Sequence, residues 1–332
     1  MSKMINDLMN PDAFPEKTER VSLVQTHISN VFITDCFVYK IKKPVNFGFL
    51  DFSTLPKRKY YCTQEIELNN RLSSDVYLGV LPVTFDGRSH KIGNQKGEVI
   101  DYAVQMRRLP DGALMKCRFN NGTLSPKDIE KTVKVIAEFH KGAESSEEIG
   151  AFGKPNVIKF STDENFQQTK EFIGISIDKN QYHSLKDWTD SFYENSTDLF
   201  IQRIRDKKIR DCHGDLHMEH VCLTEPITIF DCIEFNDRFR YVDTASDLTF
   251  LLMDLEFNGG PELSEILYKA YLTYSGESDI DLLIRFYKIY RAYVRGKVNS
   301  FQLNDPNIDE TRKAKAVETA QRYFALACSY IR

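Results

Sequence analysis

The prevailing spacing of apolar residues changes near Leu109-Pro110-Asp111-Gly112. Before that point they fall in short β-branched and aromatic runs around one helical stretch. Beyond it they recur mostly at helical spacing in long segments. Strands followed by helices point to an α+β chain: a small antiparallel β-sheet with one helix, then a larger, mainly helical lobe. The division is placed between residues 109 and 110, giving lobes 1–109 and 110–332.

In the first lobe, Val31-Phe32-Ile33 and Phe37-Val38-Tyr39-Lys40-Ile41-Lys42 read as strands joined by a short hairpin at Thr34-Asp35-Cys36, and Pro44 ends the second. Lys40 and Lys42, two residues apart, point to the same side of that strand. A helix capped by Ser53 or Thr54 is expected to run to about Leu72. Tyr61, Glu65, Leu68 and Leu72 share one of its faces, which puts an acid on an apolar stripe. A buried carboxylate there needs a partner, whereas Glu67 falls off the stripe. Further strands are expected over 79–85 and 99–106. In the second lobe, Ser125-Pro126 opens a helix whose inner face is Ile129, Val133, Ile136, Ala137 and His140. Others are marked by Trp188, Phe192 and Leu199, by Leu283, Phe286, Tyr290, Tyr293 and Lys297, and by the span 310–331.

The chain has 332 residues, with a formal net charge of -4 and no basic footprint for nucleic acid. No apolar run approaches a membrane span, and Met1-Ser2-Lys3-Met4-Ile5-Asn6-Asp7 lacks the apolar core of a secretory signal. Seven cysteines without a C-x-x-C pair fit free thiols in a reducing cytoplasm.

The chemistry is concentrated in one stretch. Three of the seven histidines lie in His213-Gly214-Asp215-Leu216-His217-Met218-Glu219-His220. Val221-Cys222-Leu223, a turn at Thr224-Glu225-Pro226, and Ile227-Thr228-Ile229-Phe230 then form a hairpin ending in Asp231. Two acids joined in this way can serve one phosphoryl transfer, the first taking a proton from a hydroxyl and the second holding magnesium. Cys212, Cys222 and Cys232 border the cluster at a spacing that fits no usual structural zinc site and are expected to be small buried residues. A metal hydrolase using His213, Asp215, His217 and His220 is an alternative reading.

The stretch resembles the H-G-D-x-x-x-x-N loop of aminoglycoside phosphotransferases, small-molecule kinases similar to protein kinases, and Asp243 and Asp247 resemble their later D-x-x-x-D-L signature. The span 212–256 looks like an uncharacterised bacterial branch of that family, often joined to a P-loop ATPase. No G-x-x-x-x-G-K-[ST] occurs here, so the expectation is the kinase-like part alone, with a P-loop ATPase as partner by analogy.

The resemblance implies a two-lobed fold that binds ATP with Mg²⁺ or Mn²⁺ and moves the γ-phosphate to a hydroxyl. It makes lobe 1–109 nucleotide-binding and lobe 110–332 catalytic and substrate-binding. Asp215 would be the base and His213 its brace; Asp231 would hold the metal; Asp247 would tie down the loop and His217 support it. Glu65 would pair with the phosphate-gripping lysine, for which Lys40 is chosen and Lys42 stays open. Met106, Arg107 and Arg108 resemble the hinge that meets adenine. Thr26-His27-Ile28-Ser29-Asn30 sits where a phosphate-covering loop belongs, with Ser29 the candidate contact, although it has no glycine.

One departure falls on a metal position, where His220 replaces the asparagine of the motif. Magnesium prefers oxygen and imidazole suits softer ions. A single metal on Asp231, a different ion, and weakened catalysis all stay open. So do a nucleotide-binding regulator with little catalysis and a nucleotidyl transferase. The short spacing from Asp231 to Asp243 favours a small-molecule acceptor over a protein. The window 231–262 holds eight acids and two arginines, a net of -6, which could attract a cationic substrate; Glu234 and Asp237 could instead bind a polyol or hold the loop. Arg291, Arg295 and Lys297 could grip an anion, but a solvated basic face is the preferred reading.

Overall fold

A computed structural model describes residues 3–305 and 308–331. By packing, the chain forms two compact units, Met1–Thr123 with Glu219–Asp237, and Leu124–Met218 with Arg238–Arg332.

The first unit holds α1 (Lys3–Leu8), β1 (Ser22–Gln25), β2 (Ser29–Ile33), β3 (Phe37–Lys42), α2 (Leu55–Ser73), β4 (Tyr77–Phe85), β5 (His90–Ile92), β6 (Glu98–Arg107) and the short α3 (Met115–Asn120). Its six strands form one antiparallel sheet in the order β1-β2-β3-β6-β4-β5. Alternation along β3 divides the unit into layers. Tyr39 and Ile41 join Phe32, Val83, Ile92 and Ala103 against Ile5, Leu8 and Phe14. Lys40 and Lys42 face the opposite way and meet Glu65 of α2. On that side Cys62 of α2 packs with Val76, Tyr77, Val104 and Met106. The hairpin of 221–229 belongs to this unit, with Val221 opposite Ile229.

Two expectations are corrected here. The buried face of α2 is not an apolar stripe. It consists of Arg58, Cys62, Glu65, Leu68, Asn69 and Ser73, while Tyr61 and Leu72 are only half-buried. A polar face can be buried because its groups are engaged: Arg58 pairs with Asp101 at 2.8 Å, and Asn69 accepts from the Cys232 N–H at 2.8 Å. The segment 26–30 is the β1–β2 turn and the start of β2, and Ser29, the candidate contact, turns inward. Thr26 Oγ1 accepts from the Ser29 N–H at 2.9 Å, and Ser29 is fully buried, so its hydroxyl is not presented to solvent.

The second unit holds α4 (Pro126–Gly142), α5 (Glu147–Ala151), α6 (Pro155–Thr169), α7 (Lys179–Arg205), the single turn α8 (Asp237–Arg240), α9 (Thr244–Phe257), α10 (Pro261–Ser275), α11 (Asp281–Phe301) and α12 (Glu310–Tyr330). Residues Ile209–Asp211 pair antiparallel with Tyr241–Asp243. Ser125 and Asp128 form a capping box on α4. The core gathers Phe166, Tyr182, Leu185, Phe250, Met253, Ile289, Tyr293, Tyr323 and Phe324. Gly296 lets α11 and α12 approach closely, since a Cβ there would lie 2.7 Å from the Phe324 ring.

The solvated basic face on α11 is also corrected. Arg291 is buried and donates to the carbonyls of Ser246 at 3.3 Å and Gly214 at 3.1 Å. Arg295 lies over the rings of Phe250 and Tyr323. Lys297 donates to Asn165 and Gln168. Long basic side chains can pack their stems on rings while the heads find polar partners. Among the described residues, no helix is long and apolar enough to cross a membrane.

Candidate active site

In the first unit two lysines and three carboxylates interlock. Lys42 Nζ donates to Glu65 Oε2 at 2.6 Å and also to Glu234 Oε1. Lys40 Nζ lies 2.8 Å from Glu65 Oε1 without good hydrogen-bond alignment, and donates to Asp231 Oδ1 at 2.6 Å. The sealing differs between them: the Lys42 side chain is 1% exposed and that of Lys40 14%. Burial opposes both ammonium charges, yet the surrounding carboxylates outweigh it and raise both pKa values. For Glu65, burial is likewise outweighed by the two lysines, and its pKa is lowered.

Asp231 sits at the end of the hairpin with a left-handed φ of 63°, a costly conformation for a non-glycine residue. The surrounding contacts hold it: its N–H donates to the Tyr77 hydroxyl at 3.0 Å, and the next N–H, of Cys232, donates to Asn69. His220 Nε2 is 3.4 Å from Asp231 Oδ2, so the two candidate metal ligands meet. Arg107 ends β6 and Arg108 follows it, and their N–H groups donate to the carbonyls of Val76 and Cys36. Any contact these two residues make to a base is therefore not through those N–H groups. Met106 is buried on the α2 side of the sheet.

In the second unit the loop 213–217 is anchored by Asp247 from the first turn of α9. Asp247 accepts from the N–H of His213 at 3.1 Å and of Gly214 at 2.8 Å, and its Oδ2 lies 3.1 Å from His140 Nε2. Gly214 has φ 87°, the region where glycine is favoured. Asp215 N donates to His213 Nδ1 at 3.3 Å, and His217 Nε2 is 3.5 Å from Asp215 Oδ2. The Asp215 side chain is 32% exposed while His217 is buried against Phe250. Burial disfavours charge on His217, but Asp215 outweighs it and raises the pKa.

Burial alone would raise the Asp247 carboxyl; the hydrogen bond and charge of His140, with His213 and Arg291 nearby, hold it at about 2. The folded-state pKa thus lies below the unfolded value, so the stabilisation is complete above about pH 4 and is lost as pH falls toward 2, an effect on the order of 2 kcal/mol. Urea midpoints measured from pH 5 to pH 2 should fall more steeply for the wild type than for Asp247→Asn. Parallel slopes would contradict this account.

Several members of these clusters are not evident from the sequence pattern. From the sequence Glu234 reads only as a polyol contact or a support for the loop, yet it is Lys42's second carboxylate. Tyr77 and Asn69 hold the backbone of 231–232. His140 appears in the sequence only as an inner-face residue of α4, although it is a polar group on an otherwise apolar face.

No protein-family model matches this chain. Among solved structures, the aminoglycoside 2'-phosphotransferase-IIIa in its GDP complex superposes with a TM-score of 0.55 and 14% identity, over 98% of this chain and 99% of that one. The fold is the kinase-like fold of that phosphotransferase. An amicoumacin kinase in complex with AMP-PNP and Ca²⁺ shares this kinase-like fold, with a TM-score of 0.51 and 11% identity over 96% of this chain and 89% of its own. The chain is also 29% identical over 323 residues to uncharacterized proteins of Mycobacterium bovis and Mycobacterium tuberculosis. That match takes in 96% of this chain but only 62% of the relatives, so the chain spans less than two thirds of their length.

Proposed function

We propose that this chain transfers the γ-phosphate of ATP to a hydroxyl of a small molecule. The observation that carries this reading is Lys40, clasped by a buried helix carboxylate and in contact with the hairpin acid Asp231. Lys42 is closed off between Glu65 and Glu234. Of the two lysines, Lys40 therefore keeps the access needed to meet phosphate oxygens.

The residues also fit a hard divalent cation at Asp231, whose carboxylate is 39% exposed and whose backbone is fixed on both sides. His220 fits such an ion less well, since imidazole suits softer metals. When bound, the ion would neutralise charge on the phosphates. Asp215, on a loop fixed by Asp247, would orient the acceptor hydroxyl and take its proton, and His213 and His217 would keep that loop in shape. Met106, Arg107 and Arg108 would lie near the adenine. The seven free thiols support a reducing cytoplasm, and the resemblance supports a P-loop ATPase as partner.

A second reading, nucleotide binding without turnover, is favoured by His220 beside Asp231. An ADP-release screen over sugars, amino alcohols and aminoglycosides, run with Mg²⁺ and with Mn²⁺, separates the two. Acceptor-dependent ADP release is expected. Thermal stabilisation by ATP with no release from any acceptor would favour the second reading, and pyrophosphate release would indicate nucleotidyl transfer.

A further inference from the structure

Most acids in the window 231–262 are engaged within the protein. Asp231 meets Lys40, Glu234 meets Lys42, and Asp243 meets Arg203 at 2.7 Å. Asp247 binds the loop, Asp254 accepts from the Met218 N–H at 3.0 Å, and Glu256 meets Lys288 at 2.6 Å. That acidity therefore gives little reason to expect a cationic acceptor.

The opposite sign appears between α6, α8 and α11. Several half-buried lysines of the second unit meet carboxylates: Lys159 at 2.8 Å from Asp190, Lys208 at 2.9 Å from Glu277, and Lys288 at 2.6 Å from Glu256. Lys297 does not. Its Nζ donates to two neutral amide oxygens, Asn165 Oδ1 at 2.6 Å and Gln168 Oε1 at 2.8 Å, and lies 5.4 Å from the Phe301 ring centre. Burial pushes its pKa down to about 8; Glu164 opposes that shift and Arg238 adds to it. Arg238 pairs with Glu164 at 2.8 Å and lies 5.2 Å over Phe160, a ring that is 59% exposed. Glu164 thus pairs directly with Arg238 and acts on Lys297 only through its charge. The same helix reaches the loop of Asp215, since Arg291 donates to the Gly214 carbonyl. Six residues separate Arg291 from Lys297, about 9 Å of helix, which is the scale of a small molecule.

We propose that Lys297, with Arg238 beside it, forms a subsite for a carboxylate or phosphate group on the acceptor, with the exposed face of Phe160 covering its apolar part. A semi-buried ammonium with only neutral partners gains most from an incoming anion, whereas a cationic acceptor would meet like charge. The inference rests on the phosphotransfer reading for the word acceptor; the anion site itself does not.

The test uses calorimetry on the full chain with ADP and Mg²⁺ present, with inorganic sulfate, glycerate and glycerol 3-phosphate as anionic probes. Glycerol and 3-amino-1,2-propanediol are the neutral and cationic controls. Lys297→Gln removes the charge while keeping an N–H donor, and Lys297→Arg keeps the charge. At least one anion should bind the wild type, at least tenfold more weakly to Lys297→Gln, and with affinity recovered in Lys297→Arg. A preference for glycerate assigns a carboxylate, and one for glycerol 3-phosphate a phosphate. In turnover, KM for an anionic acceptor should rise about tenfold in Lys297→Gln, with kcat and the KM for ATP unchanged. Absence of Lys297-dependent binding for all three anions overturns the subsite. Lys297-dependent binding without ADP release from any acceptor overturns the phosphotransfer reading and leaves the subsite standing. Release with cationic acceptors alone, indifferent to Lys297, overturns the subsite's role toward the acceptor and leaves phosphotransfer.

Discussion

Replacing Lys42 by methionine should lower folding stability by about 3–5 kcal/mol, the usual cost of leaving a buried charge without its partner. Glu65 would keep Lys40, but Glu234 would lose its ammonium while its side chain is 4% exposed. Two lysines and three carboxylates, a net of -1 when all are charged, would become one lysine and three carboxylates. Adding Glu234→Gln should return most of the loss, because an amide tolerates burial better than an unpaired carboxylate. The two changes should therefore be strongly non-additive. Urea denaturation followed by far-ultraviolet circular dichroism checks this. The single tryptophan, Trp188, lies in the second unit, so its fluorescence alone can miss a loss confined to the first. Wild-type stability in Lys42→Met would contradict this account of Glu234 as a buried acid dependent on Lys42.

Asp215→Asn should reduce kcat by roughly 100- to 10,000-fold, the usual contribution of general-base catalysis, while ATP binds as before. The substitution keeps the shape of the side chain and removes its ability to take a proton. The loop should survive, because its anchors are elsewhere: the N–H groups of His213 and Gly214 on Asp247, and the Gly214 carbonyl on Arg291. The contact most affected is His217, 3.5 Å from Asp215 Oδ2. Acceptor-dependent ADP release gives the rate and calorimetry with ATP gives the binding. Full activity in this variant would place the base elsewhere.

The elements legible in the sequence are those whose spacing is regular and whose ends carry local signals. The helix opened by Ser125-Pro126 starts where expected, and the strand Phe37–Lys42 has the expected bounds. Two short strands, Ser22–Gln25 and His90–Ile92, are not legible, because a few residues in polar surroundings carry no period. At the site, Glu65 was legible as a carboxylate in need of a partner, but its surroundings were not: hydropathy cannot tell that Arg58 and Asn69 share its buried face through distant partners. Glu234 was hidden for a similar reason, since its contact with Lys42 joins positions 192 residues apart. On α11 the charge pattern suggested solvent, while stacking on Phe250 and Tyr323 depends on helices that no local pattern brings together.

The first unit is interrupted in sequence, for residues 124–218 belong elsewhere before 219–237 complete it. A fragment ending near Thr123 would contain the whole six-stranded sheet yet lack the segment that supplies Glu234 to Lys42, the Cys232 N–H to Asn69, and Asp231 to Lys40. Dissecting the protein at that apparent boundary would leave an incomplete half, with ammonium groups missing two of their three acids. All six strands precede residue 108, but the cluster beside them reaches its final charge balance only after a long excursion of the chain has closed.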